Sequence, residues 1–297
     1  NMPYQHLVVE KPAKPIVNVA SVRHLSPFRY PGGKTWLVPH IRQWLKGRPA
    51  QFIEPFAGGG IISLTVAAEN LADSVTMVEL DDQVSAVWQT VLDENDAEWL
   101  AEQIIAFDLN TCSLRDALTR KATATREMAF QTILKNRTHH GGILAPGSAP
   151  LKQGENGKGI MSRWYPETLK KRILEIALLK DRITFICGDG LDTIRENATH
   201  TDTAFFIDPP YTGAGKKAGR RLYRYFDLNH KELFDLASMI RGDFLMTYEN
   251  AEEVRRLADR YGFDTELVAM KNTHHAEMTE LLIGRNLKWA RQNQKYK

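Results

Sequence analysis

The chain has 297 residues, 43% of them hydrophobic and 25% charged, with a net charge of +3, which is ordinary for a globular protein holding one large or two smaller domains. Its two cysteines, Cys112 and Cys187, exclude a disulfide framework and a cysteine metal motif and fit a reducing cytoplasm. Nothing reads as a signal peptide, no apolar run is long enough to cross a bilayer, and Met2, behind an added Asn1, reads as the natural start.

Charge is distributed in blocks. Residues 1–50 carry eight Lys or Arg against the single acid Glu10, and residues 115–180 carry thirteen against five. Two further stretches, Tyr211–Phe226 and Arg285–Lys297, carry five basic residues each and no acid. Any one block reads as a solvated face; together they could line a groove that follows phosphates.

Residues 1–21 contain Pro3, Pro12 and Pro15 with little periodicity and read as a loosely ordered arm. Tyr30-Pro31-Gly32-Gly33-Lys34 then leads into an apolar-periodic helix through Trp36, Leu37, Ile41 and Leu45. Gly32 and Gly33 permit close backbone approach, and Lys34 places a cation near a helix start, where a carboxylate or a phosphate could bind. The spacing of a nucleotide-hydrolase phosphate loop is absent.

Gln51–Glu54 reads as a short strand entering Pro55-Phe56-Ala57-Gly58-Gly59-Gly60, with a helix from about Ile61. Such a glycine turn lets a cofactor lie against the backbone, and the pattern is not that of a dinucleotide site. Ser74–Leu80 reads as a second strand, with Glu79 where a ribose-binding carboxylate would stand; a surface acid capping the next helix is the alternative. From about 84 to 130 the pattern is helical. Lys135-Asn136-Arg137-Thr138-His139-His140-Gly141-Gly142 breaks the period and offers base-reading side chains, since Asn can pair with adenine and Arg with guanine. Residues 145–159 read as an exposed loop, followed by Arg163, Trp164 and a helix from Pro166. The histidine pairs His139-His140 and His274-His275 do not suggest metal, because adjacent histidines rarely ligate one ion.

Arg182–Cys187 is expected as a strand ending near Asp189-Gly190. Thr203–Ile207 is a buried strand that ends in Asp208-Pro209-Pro210-Tyr211. The two prolines forbid further ladder pairing, so a carboxylate, carbonyl acceptors and an aromatic face stand together at a strand's carboxyl end. That set suits an exocyclic amine on a planar base. Lys216, Lys217, Arg220, Arg221, Tyr223 and Tyr225 interleave basic and aromatic character behind it. A helix capped by Asp227 or Asn229 follows, then strands at 244–248, 265–270 and 279–283, the last two a hairpin-like pair.

Taken together, Tyr30–Lys34, Glu54–Gly60, Asn136-Arg137 with Gly141-Gly142, and Asp208–Tyr211 resemble the Dam-like (D12, alpha-group) adenine-specific DNA N6-methyltransferases. The resemblance implies an α/β, Rossmann-like fold with a mainly helical target-recognition insert. The boundaries it implies are an arm at 1–21, a first catalytic part at 22–92, the insert at 93–180 and a second catalytic part at 181–297. The cofactor would be S-adenosylmethionine, held by Tyr30, Gly32, Gly33, Lys34, Glu54, Pro55, Phe56, Ala57, Gly58, Gly60, Glu79, Leu80, Asp189, Gly190 and Asp208. Asp208, Pro209, Pro210 and Tyr211 would act on N6 of a flipped adenine in double-stranded DNA. DNA would meet Lys135, Asn136, Arg137, His139, Arg163, Lys216, Lys217, Arg220, Arg221, Tyr223 and Tyr225. No metal and no membrane are expected, and the setting would be a bacterial, archaeal or phage nucleoid. Such enzymes work as monomers or dimers, some beside a cognate restriction nuclease. The alternatives are an RNA adenine or guanine amino-methyltransferase, or an inactive nucleic-acid-binding methyltransferase fold. The surplus between the glycine turn and Asp208, well beyond the ~60 residues that two βα units need, favours the DNA reading.

Overall fold

The structure is a computed structural model that describes residues 23–29, 34–139, 150, 159–210, 228–271 and 277–292, with 270, 271, 277 and 278 described by backbone alone. The expected arm, the glycine pair at 32–33, the loop at 145–158 apart from Pro150, and the basic stretch at 211–226 lie outside the described residues.

After a 3-10 turn at Lys34–Leu37 come α1 (Val38–Trp44), β1 (Gln51–Glu54), α2 (Ile61–Ala68), β2 (Ser74–Glu79) and α3 (Asp82–Val91). Four helices follow: α4 (Glu94–Ala106), α5 (Thr111–Thr119), α6 (Thr125–Thr138) and α7 (Pro166–Ala177). The chain then returns through β3 (Ile183–Cys187), α8 (Gly190–Asn197), β4 (Thr203–Ile207), α9 (His230–Met239) and β5 (Asp243–Tyr248). It closes with α10 (Glu252–Arg260), β6 (Asp264–Lys271), β7 (Glu277–Gly284) and α11 (Lys288–Arg291).

All seven strands form one sheet in the order β3-β2-β1-β4-β5-β7-β6. The first five are parallel, with Phe52 opposite Val75 on one side and Ala204 on the other. β7 inserts antiparallel between β5 and β6, so that Ile283 faces both Met246 and Thr265. The chain winds outward from β1 through β2 and β3, then restarts on the other side with β4. That reversal opens a crevice at the carboxyl ends of β1 and β4.

Alternation along the strands separates two cores. Phe52, Ala204, Phe206 and Leu245 face one layer with α1, α2, α3 and α11. Ile53, Phe205, Ile207, Phe244 and Met246 face the other, under α8, α9 and α10. Side chains two apart share a face, so a strand buried on both sides reads as a continuous apolar run. The expected Rossmann-like α/β architecture with a helical insert is the one the chain adopts.

α3, α4, α5, α8 and α9 start where short polar side chains catch free N–H groups. Asp81 accepts from the backbone N–H of Gln83 at 2.8 Å and of Val84 at 3.2 Å. Asn110 and Ser113 satisfy each other's backbone in a capping box. Asn229, rather than Asp227, caps α9 by accepting from Glu232 N at 3.0 Å.

The helical pattern expected over 84–130 divides into α3 to α6. α6 packs along α3, and α7 along α4. Trp88, Val91, Leu100, Ile104, Ile133, Leu134, Leu169 and Ile173 join the same apolar core as Phe52 and Met77. One expectation is corrected: Lys135–Thr138 does not break the helical period but forms the last turn of α6.

Candidate active site

β4 is buried at every position, and its end delivers Asp208 into the crevice. Thr247, on the neighbouring β5, donates its hydroxyl to Asp208 Oδ1 at 2.8 Å. Lys34 Nζ lies 3.8 Å from the same oxygen and donates to Glu280 Oε1, on β7, at 2.6 Å. Burial disfavours the Lys34 ammonium, but Asp208 and then Glu280 outweigh it and hold its pKa above the usual lysine value. Burial raises the pKa of Glu280, and Lys34 opposes that shift. Pro209 is buried and Pro210 lines the cleft. Tyr211 lies outside the described residues.

The other half of the cleft is the turn after β1. Ala57 N donates to Val78 O at 2.9 Å, fixing the turn to β2. Glu79 accepts from Gly58 N at 2.8 Å and Asp81 N at 3.1 Å. Burial pushes its carboxyl up to about 7 against those hydrogen bonds. Trp88 Nε1 donates to Gly58 O at 3.0 Å from beneath. Gly60 has φ 66°, and a Cβ there would stand 2.6 Å from Met77 Cε and 2.7 Å from Trp88 Cζ2. Gly190 is equally constrained, because a Cβ would collide with the Pro55 carbonyl.

Glu54 is 3% exposed and accepts from Ser63 Oγ at 2.6 Å and Ser63 N at 3.2 Å. Burial pushes it up to about 8. Both bonds tie it to the first turn of α2, beneath the cleft. Asp189 accepts from Leu191 N at 2.9 Å and caps α8.

One cleft, about 1260 Å³ with its open mouth, gathers Lys34, Glu54, Pro55, Phe56, Ala57, Gly58, Gly60, Glu79, Leu80, Asp189, Gly190 and Asp208. Every expected cofactor residue within the described stretches therefore lines it; Tyr30, Gly32 and Gly33 lie outside them. Leu80 is 48% exposed at the mouth of the cleft. With Phe56 it gives the cleft an apolar face beside the Glu79 carboxylate.

The expected DNA contacts fare differently. Asn136 is 0% exposed and Arg137 2%. Asn136 Nδ2 donates to Arg29 O at 2.9 Å and its Oδ1 accepts from Arg29 N at 2.8 Å. Arg137 donates to Pro27 O at 2.9 Å and Arg163 O at 3.3 Å. Burial, then Arg172 and Arg29, push the Arg137 guanidinium down to about 9. His139 is also buried. These three are corrected: all are buried, Asn136 and Arg137 on main-chain partners, which leaves no base-reading edge at the surface. Lys135 and Arg163 are half-buried. Lys216, Lys217, Arg220, Arg221, Tyr223 and Tyr225 lie outside the described residues. Among the described residues no group of His, Cys, Asp and Glu could hold a metal ion, and no helix is long and apolar enough to cross a membrane.

The sequence reading missed Thr247 and Glu280, and His24, Ser26, Phe28 and Leu228 on the cleft wall. The one signal for Glu280 was an acid directly ahead of the apolar run Leu281-Leu282-Ile283.

A family model described as D12 class N6 adenine-specific DNA methyltransferase matches residues 30–138. The Type II methyltransferase M.MjaIII of Methanocaldococcus jannaschii is 22% identical over 238 residues, covering 73% of this chain and 80% of that protein. Over residues 30–138 the chain is thus similar to the D12 class. Solved structures similar to the chain include the rRNA methyltransferase aviRa from Streptomyces viridochromogenes, at TM-score 0.39 and 11% identity, covering 86% of each chain. Another is precorrin-6y C5,15-methyltransferase from Geobacter metallireducens GS-15, at TM-score 0.31 and 10% identity, covering 82% of this chain and 84% of that one.

Proposed function

We propose that this chain transfers a methyl group to N6 of an adenine in double-stranded DNA, at one recurring sequence, with the adenine turned out of the stack. The observation that carries the reading is Asp208 at the end of β4, bonded by Thr247 at 2.8 Å in the same cleft as the glycine turn. The cleft fits S-adenosylmethionine by its donor set. Glu79 keeps acceptor capacity beyond its two backbone donors for ribose hydroxyls, Phe56 and Leu80 offer apolar faces to the purine, and the turn at Gly58–Gly60 admits close approach. Asp189 and Gly190 complete that wall. When bound, the cofactor supplies an electrophilic sulfonium methyl.

The protein's part is positioning. Asp208 and the Pro209 carbonyl accept hydrogen bonds from the adenine amine, which draws the N6 lone pair out of conjugation and leaves it nucleophilic. The amine proton then passes towards Asp208 and solvent. No covalent nucleophile is required, and Cys112 and Cys187 are exposed and outside the cleft. Tyr211 is assigned the stacking face for the flipped base. Residues 93–180 are assigned to target recognition, with Lys135, Arg163 and the basic and aromatic residues Lys216, Lys217, Arg220, Arg221, Tyr223 and Tyr225 on the DNA path.

The test is expression in cells free of DNA methylation, followed by sequencing that reads modified adenine. N6-methyladenine at one recurring sequence is expected, and none from Asp208→Ala. Modification confined to RNA, or undiminished methylation by Asp208→Ala, would overturn the reading.

A further inference from the structure

Ser26 to Arg29 form a strap between the helical insert and the cleft. On the cleft side, Ser26 and Phe28 are lining residues. Ser26 Oγ donates to the Gly59 carbonyl and accepts from Phe28 N at 3.1 Å. The Phe28 ring lies 5.8 Å from that of Trp88, the residue whose indole N–H holds Gly58 O. The strap is therefore keyed to two carbonyls of the glycine turn, one directly and one through Trp88.

On the other side, α6 and α7 hold the strap by its backbone. Asn136 pairs with both main-chain groups of Arg29, as a neighbouring strand would. Arg137 donates to Pro27 O at 2.9 Å and Arg172 to Ser26 O at 3.3 Å. These partners satisfy peptide groups that have no sheet or helix to serve them. Every one of these bonds goes to main chain, so they fix the strap's path whatever side chains it carries.

We propose that Asn136, with Arg137 and Arg172, is a positioning residue for the cofactor cleft, setting the wall formed by Ser26 and Phe28 against the glycine turn. This rests on reading the cleft as the S-adenosylmethionine site. It assigns to the cofactor side a pair, Asn136-Arg137, whose side-chain chemistry equally suits base recognition.

The test is calorimetric titration of the full chain with S-adenosylmethionine, paired with DNA affinity measured without cofactor. Removing two buried hydrogen bonds in Asn136→Ala should weaken cofactor binding about tenfold or more, while DNA affinity and discrimination between cognate and altered sites hold. At saturating cofactor the rate should recover, giving a change in KM for the cofactor rather than in kcat. Asn136→Asp keeps the acceptor and loses the donor, and should fall between. Ser26→Ala cuts the tether on the cleft side and should reproduce the cofactor defect without touching the insert, should Asn136→Ala fail to fold. Unchanged cofactor affinity in Asn136→Asp and Ser26→Ala overturns the inference, as does loss of site discrimination at normal cofactor affinity. A wild-type chain that binds no S-adenosylmethionine would instead overturn the reading of the cleft, and this inference with it.

Discussion

Thr247 donates its hydroxyl to Asp208 across 2.8 Å, from the middle of the sheet to the end of the adjoining strand. The bond sets one carboxylate oxygen and thereby the rotation of the whole group. Thr247→Val keeps the shape and removes the donor. Single-turnover methyl transfer should slow about tenfold, the worth of one oriented hydrogen bond, with cofactor affinity unchanged. An unaltered single-turnover rate would mean that packing alone orients Asp208.

Lys34 stands between two acids but closer to Glu280, at 2.6 Å against 3.8 Å for Asp208. Glu280 thus keeps the ammonium from closing fully on Asp208, the proposed acceptor for the substrate amine. In Glu280→Gln the remaining charge partner is Asp208. We expect kcat to fall about tenfold with little change in KM for the cofactor. A variant with normal kcat would show that Lys34 does not compete for Asp208.

Cofactor affinity should depend on pH through Glu79, whose carboxyl is pushed up to about 7 by burial. The ionised form accepts hydrogen bonds from ribose hydroxyls better than the protonated form does. Binding should therefore tighten as pH rises from 6 to 8, with its midpoint near 7, and Glu79→Gln should flatten the profile. Titrations at constant ionic strength measure both; an equal slope in the variant would move the effect to another group.

These expectations rest on side chains of very different visibility in the sequence. β4 and its prolines were legible because burial on both faces writes a continuous apolar run, and proline ends pairing for a covalent reason. The glycine turn was legible because few other stretches need three small residues at a strand end. Thr247 and Glu280 were not, since their meaning comes from sheet order: β5 beside β4, and β7 brought back beside β5. Asn136 misled for a different reason. An amide that can pair with adenine can pair equally with a peptide group, and only burial at 0% exposure distinguishes the two.

Glu54 gives a stability prediction of definite sign. Burial pushes its carboxyl up to about 8 from an ordinary 4.5, so between these values the folded chain keeps a proton that the unfolded chain releases. Stability contributed by this group is present in full below about pH 4.5 and is lost as pH rises through the folded value. Glu54→Gln mimics the protonated form. It should gain roughly 2–4 kcal/mol relative to wild type between pH 5 and pH 8.5, read from urea melts at both. A constant difference across that range would show that Glu54 remains ionised throughout.

The antiparallel entry of β7 between β5 and β6 ties the cleft to the end of the chain. Lys34, Asp208 and Glu280 stand far apart in sequence, and Glu280 lies on the last strand of the sheet. A chain cut short before residue 277 would leave the β5 edge beside Asp208 without its antiparallel neighbour and Lys34 without its 2.6 Å partner. Loss of that final strand should therefore be felt at the candidate site and not only in stability.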